Sequence, residues 1–428
     1  MPGSPSGNLF LGLDIGTSGA RAVVIDRVGA VRSAGKSAMA DHGADHRDPG
    51  VWLAAAESSL DAALEGVDRG AVRALAVDGT SGTMLAVDAV GRPLGPGIMY
   101  NDACGEAAVL AAIESHAPAD SAAHGPTSGA ARAVVLSRLS PYRVLHQADW
   151  IVHRLAGRMV SDANNALKSG YDPVAGKWPD WLERAGVDRS LLPDVMEPGV
   201  PIGPVTSQAA ARFGLDPGAL VVAGTTDGCA SFLATGADRP GDGVTALGTT
   251  LTLKLLSDRP IFAPGYGIYS HRLLGMWLPG GASNSGGAAL LAHFTADEMA
   301  ELSPRMDASS ETGLSYYPLP GTGERFPIAD PAMLSRTEPR PADRVRFLQA
   351  LFEGLADVEA LGYRRLAELG APPLRSVRSV GGAAGNFSLT RIRERRLGVP
   401  MPAPLSGDAA YGTALLARRG VSGGGGTA

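Results

Sequence analysis

The feature that most constrains the fold is a strand, glycine turn and strand that occur twice. Leu9-Phe10-Leu11-Gly12-Leu13-Asp14-Ile15 is an apolar run that stops at Gly16-Thr17-Ser18-Gly19 and resumes as Ala22-Val23-Val24-Ile25-Asp26. The same order returns as Val244-Thr245-Ala246-Leu247, then Gly248-Thr249-Thr250, then Leu251-Thr252-Leu253-Lys254-Leu255-Leu256. Laying Gly16 on Gly248 sets Thr17 on Thr249 and Asp26 on Asp258, an offset of 232 in a chain of 428 residues. A repeat at about half the chain predicts two similar domains. Length agrees, because a single core stops growing at roughly 250–300 residues. In a dinucleotide-binding unit the glycine loop leads into a helix; here it leads into another strand, which excludes that arrangement.

Val31 to Ala40 reads as a third strand, making the opening an antiparallel meander. Asp48-Pro49 then starts a helix carrying Trp52, Ala56, Leu60 and Leu64 at near-helical spacing. Val72 to Val77 is a buried-type strand ending in Asp78-Gly79-Thr80-Ser81-Gly82. Strands and a helix in this order predict an α/β domain with a mixed sheet. The second half holds a long helix from about Asp343 to Leu369, too apolar for a surface helix, with Val345, Leu348, Leu351, Phe352, Leu355, Val358 and Leu361 on one broad face. The expected division is a flexible tail at 1–8, an N-terminal domain at 9–238, a C-terminal domain at 239–420 and a flexible Gly-rich tail at 421–428, with the boundary near Asp238-Arg239-Pro240-Gly241.

Charge narrows the partners. Lys and Arg number 38 against 43 Asp and Glu, a formal charge of −5, so no global basic field attracts nucleic acid or a membrane surface, and bound phosphate must be held locally. The two cysteines, Cys104 and Cys229, lie far apart and exclude a disulfide scaffold or a Cys-rich zinc site. The first residues lack a basic and apolar leader pattern and no run of about 18 apolar residues occurs, so the expected location is cytoplasmic.

Several motifs carry chemistry. In Asp14-Ile15-Gly16-Thr17-Ser18-Gly19-Ala20-Arg21, a tight hairpin rich in glycine and hydroxyl groups aims backbone N–H groups at phosphate oxygens, Asp14 is placed to organise a Mg²⁺ shell, and Arg21 screens charge; the plain alternative is an ordinary hairpin. Gly248-Thr249-Thr250 repeats that composition without the acid, since Ala246 stands where Asp14 stood. Gly381-Gly382-Ala383-Ala384-Gly385-Asn386 suits close approach of a flat group, with Asn386 bonding a base or ribose or else capping a helix. Asp227, after Gly224-Thr225-Thr226, is either a poorly solvated general base or a helix N-cap. Asp102 and Asp78 are candidates to hydrogen-bond a polyol, each with the same capping alternative. Lys36-Ser37 is not a P-loop, because five residues rather than four separate Gly29 from Gly35. Arg391-Ile392-Arg393-Glu394-Arg395-Arg396 reads as a solvated helix face.

Taken in order, Asp14 to Arg21, Asp78 to Thr83, Tyr100-Asn101-Asp102, Gly224 to Gly228, Gly248 to Thr250, Gly281 to Gly287 and Gly381 to Asn386 resemble the FGGY carbohydrate kinases over roughly residues 9–417. Within that family, Asp78-Gly79-Thr80-Ser81-Gly82, Ser161-Asp162-Ala163-Asn164-Asn165-Ala166 and Gly281-Ala282-Ser283-Asn284 are most similar to the short xylulokinase-like D-ribulose kinases of cyanobacteria and plants. The resemblance implies an α/β fold of two actin-like (ribonuclease-H-like) domains, the first binding sugar and the second nucleotide, with an ATP cleft between them that closes on sugar. It implies ATP and Mg²⁺ as cofactors and a small ketose as substrate, D-ribulose first and D-xylulose as the alternative, in a monomer or homodimer. Carried over by motif, Asp14 organises Mg²⁺ through water; Gly16, Thr17, Ser18, Arg21, Gly248, Thr249 and Thr250 face the phosphates; Gly287, Gly382 and Asn386 bind the nucleoside end; Asp227 is the general base and contacts the sugar with Thr80, Ser81 and Asp102. Two departures stand out. Ala103-Cys104 follow Asp102 where many xylulokinases have an Arg two residues on, so a sugar contact is missing or moved, and the chain is shorter than most members. A reading of another class, a non-catalytic actin-like nucleotide-binding protein, has no use for a base at Asp227.

Overall fold

A computed structural model of the protein describes residues 7–422. Most of the two expected tails therefore lies outside the described residues. The chain divides into two compact units: residues 7–234, 271–274 and 408–422 form the first, and Thr235–Ser270 with Gly275–Gly407 form the second. By packing, the crossing falls at 234/235, and residues 408–420 group with the first unit.

The reason is close packing of small residues. The last helix, Ala409–Ser422, buries Ala410, Gly412, Thr413, Ala414, Leu416 and Gly420. A Cβ on Gly12 would lie 2.1 Å from the Ala410 carbonyl oxygen, and one on Gly412 would lie 1.9 Å from that of Ala230. Backbone meets backbone there, an approach that only glycine permits. Val421 and Ser422 complete this helix, so the expected tail at 421–428 starts too early.

The first unit is built on a six-stranded sheet in the order Val31–Ala38, Gly19–Ile25, Leu9–Ile15, Val72–Gly79, Leu220–Thr226 and Pro201–Pro204. The opening three strands are antiparallel, and Leu9–Ile15, Val72–Gly79 and Leu220–Thr226 are parallel neighbours. These three are almost wholly buried, as the centre of a sheet covered on both faces requires. The helix Pro49–Ala63 starts where Asp48 and Pro49 indicate: the Asp48 carboxylate accepts from the Gly50 amide at 2.7 Å. It packs Trp52, Ala56 and Leu60 into a core shared with Leu11, Leu13, Leu75 and Val221. Each such buried aliphatic side chain contributes roughly 1.5–3 kcal/mol relative to exposure. Register between the parallel strands places the acids, because Asp14 stands opposite Asp78, and Asp78 opposite Thr225.

The second unit carries a five-stranded sheet ordered Tyr269–Leu273, Met276–Ser283, Leu251–Leu255, Asp242–Leu247 and Ser376–Val380. Its hairpin is one residue tighter than the first: Leu247 pairs with Leu251, whereas Ile15 pairs with Ala20. The overlay at offset 232 therefore holds up to the loop and slips by one after it, so Asp26 corresponds to Ser257 and not to Asp258. The long helix Arg344–Glu368 opens on Asp343, which accepts from the Val345 amide at 2.8 Å. It buries Leu348, Leu351, Phe352, Leu355 and Val358, and with them Glu353 and Glu359.

Those buried acids overturn the reading of the Arg391–Arg396 run as a solvated face. Arg393 and Glu359 are both fully buried and form a two-pronged pair at 2.6 and 2.7 Å, with Thr245 donating to Glu359 at 2.6 Å. Arg395 reaches Glu353, and Arg396 reaches Glu311 and Asp357. Only Arg391 is exposed, with Glu394 beside it. The basic side chains are drawn inward by carboxylates on the long helix, which local sequence does not reveal.

Candidate active site

In the first unit, parallel strand order brings acids together that are far apart in sequence. Asp14 ends one strand, Asp78 the next, and Asp227 opens the helix Asp227–Ala234 immediately after the third. The carboxyl ends of parallel strands are where open α/β sheets place their ligands. Asp14 is 4% exposed. Burial pushes its carboxyl up to about 6, while a hydrogen bond from Asp78 opposes this and the nearby Asp227 and Asp408 carboxylates add to it. Arg21, its cross-strand partner, lies 3.6 Å away and is largely exposed. Asp227 accepts from the Gly228 amide at 2.6 Å.

Asp78 is not a polyol contact. It is completely buried, its Oδ2 accepts from the Thr413 hydroxyl of the last helix, and its Oδ1 has no donor among the described residues. Burial and the neighbouring Asp14 carboxylate hold its carboxyl well above the usual range. Asp408, which precedes that helix, and Thr413 went unnoticed in the sequence because their importance depends on where the C-terminal segment packs.

The hydroxyl pair Thr80 and Ser81 divides. Thr80 turns inward, 2.6 Å from the Thr83 hydroxyl and 3.1 Å from Gln147 Oε1, whereas Ser81 Oγ is buried without a partner among the described residues. A buried hydroxyl left unpaired costs free energy, and a polyol oxygen is one group that relieves it. Asp102 is held by Arg47 through two bonds of 2.8 and 3.1 Å. Arg132, itself 3% exposed, donates to the carbonyls of Tyr100 and Asp102 at 2.7 and 3.0 Å. Both arginines come from elsewhere in the chain, where Ala103 and Cys104 follow Asp102 in sequence. Lys168 is a further residue that the sequence did not point to. It caps the short helix Ala163–Leu167, whose Asn164 and Asn165 bond Thr225 at 2.8 and 3.3 Å. Burial lowers its ammonium, with Asp227 acting in the opposite sense. Gly16 closes the first turn by donating to Gly19 at 3.0 Å, which leaves Thr17 and Ser18 exposed at its tip.

In the second unit, Gly248, Gly287 and Gly382 come together. The Gly287 amide donates to the Gly248 carbonyl at 2.8 Å, and the Ala288 amide to that of Thr249 at 3.1 Å. A Cβ on Gly286 would lie 2.7 Å from the Thr249 oxygen, so the hairpin rests directly on backbone. Ala383 donates to Leu247 at 3.3 Å, and Gly382 is exposed with nothing near its would-be Cβ. Thr249 is also exposed, with Thr250 half-buried beside it. Asn386 is spent on structure: it accepts from the Leu389 amide at 2.9 Å as N-cap of Phe387–Leu397 and donates to Ser303 Oγ at 2.9 Å.

Among the described residues no group of three or more His, Cys, Asp or Glu side chains is arranged to hold a metal, and no helix is long and apolar enough to cross a membrane.

The two-unit α/β fold is that of solved sugar kinases. The xyloylose kinase of Brucella ovis superposes with a TM-score of 0.83 at 26% identity, covering 97% of this chain and 91% of that one. A xylulose kinase from Rhodospirillum rubrum gives 0.81 at 23% identity over 98% and 90%, a likeness of fold. The N-terminal domain model of the FGGY family of carbohydrate kinases matches residues 9–119 and 135–234, and the C-terminal domain model matches 243–421. The chain belongs to this family. It is 27% identical over 427 residues to the xylulose kinase of Streptomyces coelicolor, covering 93% of this chain and 85% of that protein. It is 28% identical over 297 residues to the autoinducer-2 kinase of Yersinia enterocolitica, and that match covers 64% of this chain and 56%, about half, of the relative's length.

Proposed function

We propose that the protein transfers the γ-phosphate of ATP to the terminal hydroxyl of a small ketose, with D-ribulose as the favoured acceptor. The observation that carries this reading is the convergence of Asp14, Asp227 and the unpaired Ser81 hydroxyl at the strand ends of the first unit. Asp227 takes the acceptor's proton as its oxygen bonds to the γ-phosphorus and the bond from that phosphorus to the β–γ bridging oxygen breaks, releasing ADP; Ser81 and Lys168 orient the polyol, and Asp102 stays with Arg47 to shape the wall. Phosphoryl transfer asks a protein mainly for positioning and charge compensation, and these groups supply both. Mg²⁺, when bound, neutralises phosphate charge. Asp14 fits such an ion: one carboxylate with water and phosphate oxygens is a usual Mg²⁺ environment, and no larger ligand cluster is needed. The hairpin Gly248-Thr249-Thr250 holds phosphate, and the exposed Gly382 gives a flat ring access to backbone.

D-Ribulose is favoured by Asp78-Gly79-Thr80-Ser81-Gly82 and Ser161 to Ala166; D-xylulose is the second reading, favoured by the full-length likeness to a xylulose kinase. The two ketoses differ at one stereocentre, so discrimination rests on hydrogen-bond geometry. ADP formation measured with D-ribulose, D-xylulose, autoinducer-2 and glycerol decides between them. D-Ribulose is expected to have the highest kcat/KM; a preference for D-xylulose reverses the acceptor assignment, and no stimulation by any acceptor removes the kinase reading.

A further inference from the structure

The second unit contains a cavity of about 180 Å³ lined by Thr249, Thr250, Asn284, Ala288 and the loop Pro320–Gly323. It is below the roughly 300–1,000 Å³ of pockets for drug-sized ligands, and suits a group of a few atoms. One wall is the hairpin Gly248-Thr249-Thr250. The other is a loop with no assigned role.

The chemistry of the lining is uniform. It carries no charged side chain, yet the amides of Thr249, Thr250, Gly321 and Thr322 and the three threonine hydroxyls find no hydrogen-bond partner among the described residues. Backbone amides left unpaired around a concavity form an anion site without needing a cation. The loop is fixed to the strand end at Ser283 and Asn284 by one buried side chain. Glu324, 3% exposed, accepts from Ser283 Oγ at 2.5 Å, the Asn284 amide at 2.7 Å, Tyr317 at 2.9 Å and the Arg325 amide at 2.9 Å. Asn284 Nδ2 donates to the Gly323 carbonyl at 2.9 Å, and the Gly323 amide to Met333 at 2.8 Å. Burial beside Glu324 keeps the Tyr317 hydroxyl protonated, hence a donor.

We propose that the Pro320–Gly323 loop is a second phosphate-gripping element, in which Thr322 donates to a phosphoryl oxygen and Glu324 is the positioning residue that holds the loop against Asn284. The inference rests on reading the second unit as the nucleotide-binding one. Its test uses the full chain, with inorganic tripolyphosphate and adenosine as separate probes in titration calorimetry. Thr322→Val keeps the shape and removes the hydroxyl; it is expected to weaken tripolyphosphate binding at least about tenfold, the scale of a hydrogen bond to a charged group, and to leave adenosine binding within about twofold. Thr322→Ser should restore tripolyphosphate binding, and Glu324→Gln should lose it selectively. Unchanged tripolyphosphate binding in Thr322→Val, an equal loss of adenosine, or wild-type protein that does not bind tripolyphosphate overturns the proposal. Lack of ketose-stimulated ADP formation by the wild type is a separate outcome: it removes the kinase reading without touching this binding readout.

Discussion

The two hairpins share a path and differ in chemistry. In the first, Asp14 stands at the strand end with Arg21 across from it, and Asp78 and Asp227 arrive beside it from parallel neighbours. In the second, Ala246 and Thr252 occupy the corresponding pair, the loop is one residue shorter, and the surroundings are hydroxyls, amides and glycine. One hairpin concentrates negative charge at a buried point, and the other offers neutral donors. A repeated supersecondary unit thus fixes the path of the backbone, while the residues around the strand ends decide the chemistry it presents.

That contrast breaks most sharply at Asp227. Asp227→Ala is expected to lower turnover by about 10²- to 10⁴-fold, the usual contribution of a general base, with nucleotide affinity near wild type; steady-state ADP formation beside nucleotide titration reads both. Near-normal turnover would move the chemistry away from the acidic hairpin.

The next effect concerns stability. Arg393→Met leaves the Glu359 carboxylate buried without its cation, with the Thr245 hydroxyl still donating to it, at a cost of about 3–5 kcal/mol. Arg21→Met, beside the acidic hairpin, removes a mostly exposed partner and is expected to cost less than about 1 kcal/mol. Urea unfolding of the two variants compares them directly, and similar midpoints would show that burial does not separate the regions.

A smaller effect has a definite pH window. The Asp14 carboxyl is raised from 3.8 to about 6 in the folded protein. Between those values the native state binds more protons than the unfolded one, so this group's contribution to stability is full below about pH 4 and is lost as pH rises through about 6. Asp14→Asn should therefore stabilise the protein at pH 8, by up to about 3 kcal/mol, and change little at pH 4, while slowing turnover and raising the Mg²⁺ needed for half-maximal rate. Thermal melts at the two pH values check the first part. A variant less stable at pH 8 would show that the carboxylate is held favourably.

The least effect sharpens the site within the acidic unit. Ser81→Ala removes a hydroxyl with no partner among the described residues, so melting should be unchanged or improved while the ketose KM rises several-fold. Thr80→Val strips a partner from Thr83 and Gln147 and should instead cost about 1–2 kcal/mol. The reverse pattern would exchange the roles of the two residues.

Much of the frame was legible in the chain itself. Alternation between apolar runs and glycine-rich turns located both hairpins, Asp48-Pro49 located a helix start to the residue, and the long apolar face located Arg344–Glu368. These are local features: turn chemistry, capping and periodicity act over a few residues, and the sequence by itself determined them. It also determined that Asp14 has no counterpart in the second hairpin. What only the tertiary structure decided involves residues distant in sequence. Parallel strand order set Asp78 against Asp14 and sealed it beneath Thr413, docking of the last helix assigned 408–422 to the first unit, and the acids of the long helix drew Arg393 into the core. Asp102 found its cation in Arg47, 55 residues away, and Asn386 spent its side chain on a cap and on Ser303. Burial and pairing depend on which surfaces meet, and desolvation then sets charge and hydrogen-bond partners in a way that no local pattern encodes.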